Sequence, residues 1–171
     1  IDEINRGNLS KIFGELLMLI ESDYRYKEDD KNMITLAYSD KPFSVPSNLY
    51  IIGMMNTADR SLAMIDYALR RRFSFFSMKP GCESEGFKEY QKVLNNDKFN
   101  ALINKIKELN ARINELLGSG FEIGHSYFCN QTQITDKWLH SVVNYDIIPM
   151  LEEYWFDNSD EVNKWRENLT K

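Results

Sequence analysis

The sequence predicts an α/β half followed by an all-α half. Residues 49–55 form a near-continuous apolar run, which is typical of a strand buried on both faces of a parallel sheet. Residues 98–117 carry apolar side chains at helical spacing over five turns. Lys79-Pro80-Gly81 marks a change in composition between the two patterns. We therefore expect an α/β part over residues 1–78 and a helical subdomain over residues 79–171.

Composition excludes several classes of protein. The 171 residues include 21 basic and 26 acidic side chains, a formal charge of −5, so no overall basic footprint for nucleic acid is expected. Cys82 and Cys129 lie far apart without a CxxC spacing, which argues against a structural zinc site and fits a reducing cytoplasm. No apolar run approaches the length of a membrane span.

Asp2 and Glu3 stand at a predicted junction between a strand and a helix. Residues 9–21 carry apolar side chains at i, i+3, i+4 and i+7, which predicts an amphipathic helix. Carboxylates at the end of a parallel strand face the crevice where α/β sheets bind ligands. In a P-loop nucleotidase the first acid of such a pair supports Mg²⁺ and the second activates water. The alternative is a solvated acidic stretch before an ordinary helix.

Residues 33–38 and 43–45 predict a hairpin, with Pro46 ending its second strand. It is either a plain surface hairpin or an insertion that faces a partner or substrate. The apolar run 49–55 follows and ends at Asn56, whose amide can hydrogen-bond both a water and a phosphate oxygen. Asp59 or Ser61 is available to cap the next helix.

Three consecutive arginines, Arg70, Arg71 and Arg72, close a helix predicted over residues 61–72, and residues 73–76 predict a returning strand. Arginines in a last turn complement the helix dipole. Three in a row exceed what capping needs, and arginine is suited to bidentate phosphate contact.

Residues 86–94, 98–117, 135–156 and 160–169 predict the helices of the second half, with a kink or break at Pro149. A tight loop over residues 120–128 contains His125. This histidine is either a satisfied structural side chain or a contact to bound nucleotide.

The segments DEINRGNLSKIFGELLMLIE, NLYIIGMMNTADRSLAMIDYALRRRFSF, GFEIGHSYF and PMLEEYWFD together resemble the McrB family of AAA+ GTPases. Their order is that of a Walker B box, a sensor 1 loop, an arginine-finger segment and a helical lid. The resemblance implies the C-terminal part of an AAA+ P-loop core over residues 1–78, followed by a helical lid over residues 79–171.

The resemblance also implies roles for individual residues. Asp2 would support Mg²⁺, Glu3 would activate the attacking water, and Asn56 would place that water against the γ-phosphate. Asp59 completes the NTxD signature.

Arg72, with Arg71 beside it, would reach the nucleotide of a neighbouring subunit, and the sequence does not decide which arginine is the finger. His125 would lie near the nucleotide.

Members of this family prefer GTP, form rings that are usually hexamers, and drive an McrC-like endonuclease by moving DNA. DNA recognition in the family lies in an N-terminal domain that the sequence does not contain. No GxxxxGK[ST] loop occurs either, so the chain alone is expected to bind nucleotide weakly and to be inactive. Two alternatives remain: a MoxR- or dynein-like ATPase that remodels proteins, and a non-catalytic module for oligomer and partner contacts.

Overall fold

A computed structural model describes residues 1–29, 32–56, 58 and 67–171, without the side chain of Ala68. The chain divides into two compact units, Ile1–Ser77 and Met78–Lys171. In the part of the chain that the model describes, no helix is both long enough and apolar enough to span a membrane.

The first unit begins with short helical turns rather than one long helix. A 3₁₀ turn at Ile4–Arg6 is followed by helix α1, Leu9–Phe13, and by 3₁₀ turns at Gly14–Ile20 and Ser22–Tyr24. Asn8 caps α1 by accepting a hydrogen bond from the backbone N–H of Lys11. The prediction of a continuous helix over residues 9–21 is therefore wrong. Gly14 has φ of 50° and ψ of −125°, a conformation outside the α region that interrupts the helical hydrogen bonds.

The predicted hairpin is present but short. Strands β1, Ile34–Thr35, and β2, Pro42–Phe43, are antiparallel, with Ile34 opposite Phe43. Tyr38 is fully exposed in the connecting turn. A carboxylate oxygen of Glu15 accepts a hydrogen bond from the backbone N–H of Ala37 at 3.1 Å, which ties this turn to the preceding helical segment.

Residues 49–55 and 73–76 do not form the predicted strands. Tyr50, Ile52 and Phe76 are 84%, 76% and 88% exposed, so the expected burial on both faces is wrong. A central strand needs partners on both sides. Among the described residues, the backbone of 51–55 hydrogen-bonds only to Ile1 and Ile4. The parallel sheet expected for residues 1–78 therefore stays a prediction.

A small core lies beneath these turns. Ile4, Leu9 and Leu69 are buried together, and Phe13, Leu17 and Phe73 pack against them. Leu69 belongs to helix α2, Tyr67–Arg70, the described end of the helix predicted over residues 61–72. Residues 61–66 of that prediction lie outside the described part of the chain.

The second unit is helical, as predicted. Helix α3 spans Glu85–Leu94 and α4 spans Asp97–Leu117; the side chains of Ser84 and Asn96 cap their first turns, and Gly118 follows the end of α4. Short 3₁₀ turns at Ser119–Phe121 and His125–Phe128 form the predicted tight loop.

The third predicted helix is divided. Helix α5, Asp136–Ser141, continues through a π-helical turn at Val142–Ile147 into α6, Ile148–Tyr154. Pro149 stands in the first turn of α6, a position at which helices tolerate the missing backbone N–H of proline. The irregularity that we predicted at Pro149 therefore lies just before it, in the π-helical turn. Helix α7 spans Ser159–Thr170.

These helices enclose the larger core of the chain. Phe99, Ile103, Ile106, Leu109 and Ile113 of α4 are all buried. They pack within one cluster with buried side chains of the later helices, including Ile147, Leu151, Trp155 and Trp165. The spacing of the α4 residues, at three and four positions, is the spacing that predicted the helix.

Candidate functional site

The loop that carries Asp2 and Glu3 lies beside the segment that leads to Asn56. The backbone nitrogen of Ile1 donates to the carbonyl oxygen of Ile52 at 2.8 Å, and the N–H of Met54 donates to the carbonyl oxygen of Ile1 at 2.9 Å. These two hydrogen bonds hold the segments side by side. A Cβ at Gly53 would lie 2.6 Å from the Cδ1 atom of Ile4, so a side chain at this position would require the Ile4 side chain to shift.

Glu3 occupies a constrained position within this loop. Its backbone lies in the left-handed region, with φ of 47° and ψ of 45°, which is uncommon for a residue other than glycine. The Asp2 carboxylate accepts a hydrogen bond from the N–H of Glu3 at 2.9 Å. The Nε atom of Arg6 lies 2.6 Å from the Glu3 carboxylate, and both side chains are about half exposed. The two acids are thus held in a tight turn open to solvent.

Asn56 is joined to the acidic loop by Asn5. The Nδ2 atom of Asn5 donates to the backbone carbonyl oxygen of Asn56 at 3.3 Å. The Asn56 side-chain oxygen accepts a hydrogen bond from the N–H of Ala58 at 3.0 Å, which fixes the orientation of its amide. The structure therefore brings Glu3 and Asn56, predicted from separate motifs, into one loop cluster. Asp59, the remaining predicted residue of this region, lies outside the described residues.

Asn5 is a site residue that the sequence analysis missed. It is only 7% exposed, and within the described part of the chain its buried Oδ1 atom has no hydrogen-bond partner. Buried side-chain amides usually have hydrogen-bond partners for both the nitrogen and the oxygen, so a buried amide oxygen without one is a feature of a candidate site. The one signal in the sequence is a polar residue directly after Ile4, at a position that the turn buries.

The three consecutive arginines at the end of α2 have different environments. Arg70 lies over the ring of Phe75, 5.7 Å from its centroid. Arg71 is exposed. Arg72 has a side chain only 11% exposed, with Nε 2.8 Å from the Glu21 carboxylate. Arg71 and Arg72 line a polar groove of about 660 Å³, which we call the arginine groove and which is also lined by Met18, Glu21, Ser22, Asp23 and Tyr24.

His125 belongs to the second unit and has structural contacts there. Its Nδ1 atom accepts a hydrogen bond from the N–H of Gly81 at 2.9 Å, and its ring meets Phe87 edge-on at 5.9 Å. The Cys129 thiol donates to the His125 carbonyl oxygen at 3.3 Å. Burial raises the pKa of both the Cys82 and Cys129 thiols, so neither is an activated thiolate. His125 therefore has the contacts expected of a structural histidine, and its contact with a nucleotide stays a prediction.

The acidic loop has the donor set that a Mg²⁺ ion takes. Mg²⁺ keeps several waters and is held through one or two carboxylates together with substrate phosphates. Asp2 and Glu3 supply adjacent, exposed carboxylates in a turn open to solvent. With the Asn56 amide oriented in the same cluster, the arrangement can hold a hydrated cation and position a water molecule.

Comparison with known proteins agrees with the order of these features. Residues 1–73 match the family described as "AAA domain (dynein-related subfamily)". Residues 101–163 match the family described as "McrB, alpha-helical lid domain".

Two relatives extend the comparison. The chain is 47% identical to the Type IV methyl-directed restriction enzyme EcoKMcrB subunit of Escherichia coli (strain K12), over 99% of the chain and 39% of that protein. It is 30% identical to the Type II restriction enzyme BsuMI component YdiS of Bacillus subtilis (strain 168), over 82% of the chain and 46% of that protein. The chain thus spans less than half the length of either relative. The chain therefore consists of AAA-domain sequence over residues 1–73 followed by an McrB-type helical lid over residues 101–163.

Proposed function

We propose that the chain is the Walker B-to-lid part of a GTP-hydrolysing AAA+ motor subunit, which drives DNA translocation and cleavage by a partner nuclease in a modification-dependent restriction system. The observation that carries this proposal is 47% identity to the E. coli McrB subunit across 99% of the chain. In the proposal, residues 1–78 belong to the AAA core and residues 79–171 form the lid.

The acidic loop has the chemistry of the hydrolytic step. Glu3 is proposed as the base that activates water, and the Asn56 amide as the group that orients that water. Asp2 is the residue proposed to hold Mg²⁺, through water. When bound, the ion would supply charge neutralisation on the phosphates. Asn5 supports this assignment, because its hydrogen bond to Asn56 couples the two loops.

The remaining predicted residues complete the nucleotide site in the proposal. Either Arg71 or Arg72 is proposed to act at the nucleotide of a neighbouring subunit within a ring, which is proposed to be a hexamer. Asp59 and His125 are proposed as nucleotide-side residues of the sensor loop and the lid.

The proposed partners are based on the names of the two relatives. Both are named as parts of restriction enzymes, one a subunit and one a component. An McrC-like endonuclease subunit is therefore proposed as the partner, with DNA bound through a domain that this sequence does not contain. A cytoplasmic location belongs to the same proposal and agrees with two free cysteines.

The second candidate is an ATPase that remodels proteins. The dynein-related description of the AAA match over residues 1–73 favours it. It would use the same Asp2, Glu3 and Asn56, and would differ in nucleotide preference and partner.

Steady-state hydrolysis separates the two candidates. The full-length protein that carries this chain should be assayed with GTP and with ATP, each with and without the candidate partner nuclease. GTP-selective turnover that the nuclease stimulates is the expected result. ATP-selective turnover that ignores the nuclease would favour remodelling, and no turnover of either nucleotide would contradict both.

A further inference from the structure

Arg72 is committed to a partner on its own chain. Its Nε atom lies 2.8 Å from the Glu21 carboxylate, and its side chain is 11% exposed while that of Glu21 is 37% exposed. Because the Arg72 side chain is nearly buried, loss of Glu21 would leave the Arg72 charge poorly solvated, whereas Glu21 itself remains partly in contact with water. Arg72 is therefore poorly placed to extend toward another subunit.

Both members of the pair stand on anchored backbone. The N–H of Arg72 donates to the carbonyl oxygen of Leu69 at 2.9 Å, and Leu69 is buried against Ile4 and Leu9. The N–H of Glu21 donates to the carbonyl oxygen of Met18 at 3.3 Å. The ion pair thus joins the end of α2 to the end of the Gly14–Ile20 turn.

Arg71 has the opposite character. It is exposed, it follows directly on α2, and it lines the arginine groove beside the Glu21–Arg72 pair. Glu21 neutralises the charge of Arg72 at that groove. Arg71 is then the better placed of the two to attract a phosphate, since its neighbour's charge is already paired.

We propose that Glu21 is a positioning residue that holds Arg72 within its own subunit, and that Arg71 is the arginine presented to the neighbouring subunit's nucleotide. The proposal rests on the proposed nucleotide hydrolysis and names which arginine serves it. Arg72 acts through Arg71, by fixing the backbone from which Arg71 extends.

Reversal of the ion pair tests this assignment. In the full-length protein, Glu21→Arg and Arg72→Glu should each lower kcat for GTP hydrolysis at least ~10-fold with little change in KM, because a like-charged pair would displace the end of α2. The double variant, Glu21→Arg with Arg72→Glu, restores an ion pair and should return kcat to within about threefold of wild type, as a coupled pair does. Arg71→Ala should lower kcat about 10³-fold, the effect of a lost arginine finger.

Several outcomes would overturn the proposal. If the double variant is as inactive as Arg72→Glu alone, Arg72 must itself carry a positive charge to the nucleotide. If Arg71→Ala turns over at the wild-type rate, Arg71 is not the finger. Glu21→Gln keeps nearly the same size and serves if Glu21→Arg does not fold; a folded Glu21→Gln protein with unchanged kcat would also contradict a positioning role.

A control ion pair and the activity of the wild-type protein help to interpret this test. Reversal of the exposed Glu89–Lys92 pair on α3, whose side chains are 66% and 75% exposed, should leave kcat unchanged. If the wild-type protein hydrolyses no nucleotide, the proposed function fails. If the wild type is active but the charge reversal is not rescued, only the assignment of Glu21 and Arg71 fails.

Discussion

The side-chain nitrogen of Asn5 donates a hydrogen bond to the backbone carbonyl oxygen of Asn56, 3.3 Å away. The bond joins two loops that lie 51 positions apart in the chain. One loop carries the acids Asp2 and Glu3, and the other carries the amide proposed to orient water. Together with the backbone hydrogen bonds from Ile1 and Ile4, this buried asparagine holds the two halves of the candidate site together.

Replacement of Asn5 by alanine should impair hydrolysis through misplacement of Asn56. We expect kcat of the full-length protein to fall about 10- to 100-fold, the usual effect of a small displacement of a reacting group. Steady-state hydrolysis measures this change. Asn104→Ala, at an exposed position of α4, is the matched control. Wild-type kcat in Asn5→Ala would show that the bond has no part in the site.

Glu3→Gln tests the proposed base. The amide has the size of the carboxylate but cannot accept a proton, so hydrolysis should fall about 10²- to 10⁴-fold while nucleotide binding remains. Turnover and binding of a fluorescent GTP analogue should be measured on the same full-length protein. Glu108→Gln, exposed on α4, should behave as wild type. Retained turnover in Glu3→Gln would remove Glu3 as the base.

The 171-residue chain by itself should not bind GTP tightly. It contains no GxxxxGK[ST] loop, and so lacks both the backbone amides that surround the phosphates and the lysine that contacts them. Isothermal titration of the chain with Mg²⁺ and GTP is expected to give no saturable binding. Binding in the micromolar range would show that residues within this chain suffice for a nucleotide site.

The packing of α4 should dominate the stability of the second unit. Ile106 is fully buried, so Ile106→Ala should lower the free energy of unfolding by about 2–5 kcal/mol through lost burial and a residual cavity. Val93 is 75% exposed, and Val93→Ala should change it by less than about 0.5 kcal/mol. Urea unfolding of the 171-residue chain compares the two. Equal losses would contradict the core described here.

Glu161 should make the second unit sensitive to acid. Burial acts to raise its pKa, but hydrogen bonds from Arg112 and Trp165 outweigh burial and bring the pKa below the ordinary value of 4.5. A lowered pKa in the folded state stabilises the protein above pH 4.5, and this contribution is lost as the pH falls through the lowered value. Stability measured from pH 6 to pH 3 should therefore decline less steeply in Glu161→Gln than in wild type. An identical decline in both would contradict the prediction.

Helix positions in the second unit could be predicted closely from local pattern. Ser84 and Asn96 precede periodic apolar runs, and Gly118 follows one. Residues close in sequence therefore indicate both the buried faces and the ends of α3 and α4. The sequence predicted that the third helix is interrupted, but it predicted the interruption at Pro149 rather than at Val142–Ile147. The π turn over Val142–Ile147 depends on packing within the core, which the proline alone does not reveal.

The first unit departed from local pattern where long-range partners decide the structure. Residues 49–55 have the composition of a central strand, but their burial depends on which segments lie on either side. The helix expected over residues 9–21 was interrupted at Gly14, whose backbone freedom permits a turn that the apolar spacing did not indicate.

By itself, the sequence determined the motifs: the acidic pair, the asparagine loop, the arginine run, the lid helices and the family they resemble. These are contiguous patterns, and their chemistry is carried by residue type and order. Only the tertiary structure decided which residues meet. Asn5 against Asn56 and Glu21 against Arg72 are pairs separated by 51 positions each, and such contacts depend on how the chain returns on itself rather than on any local preference.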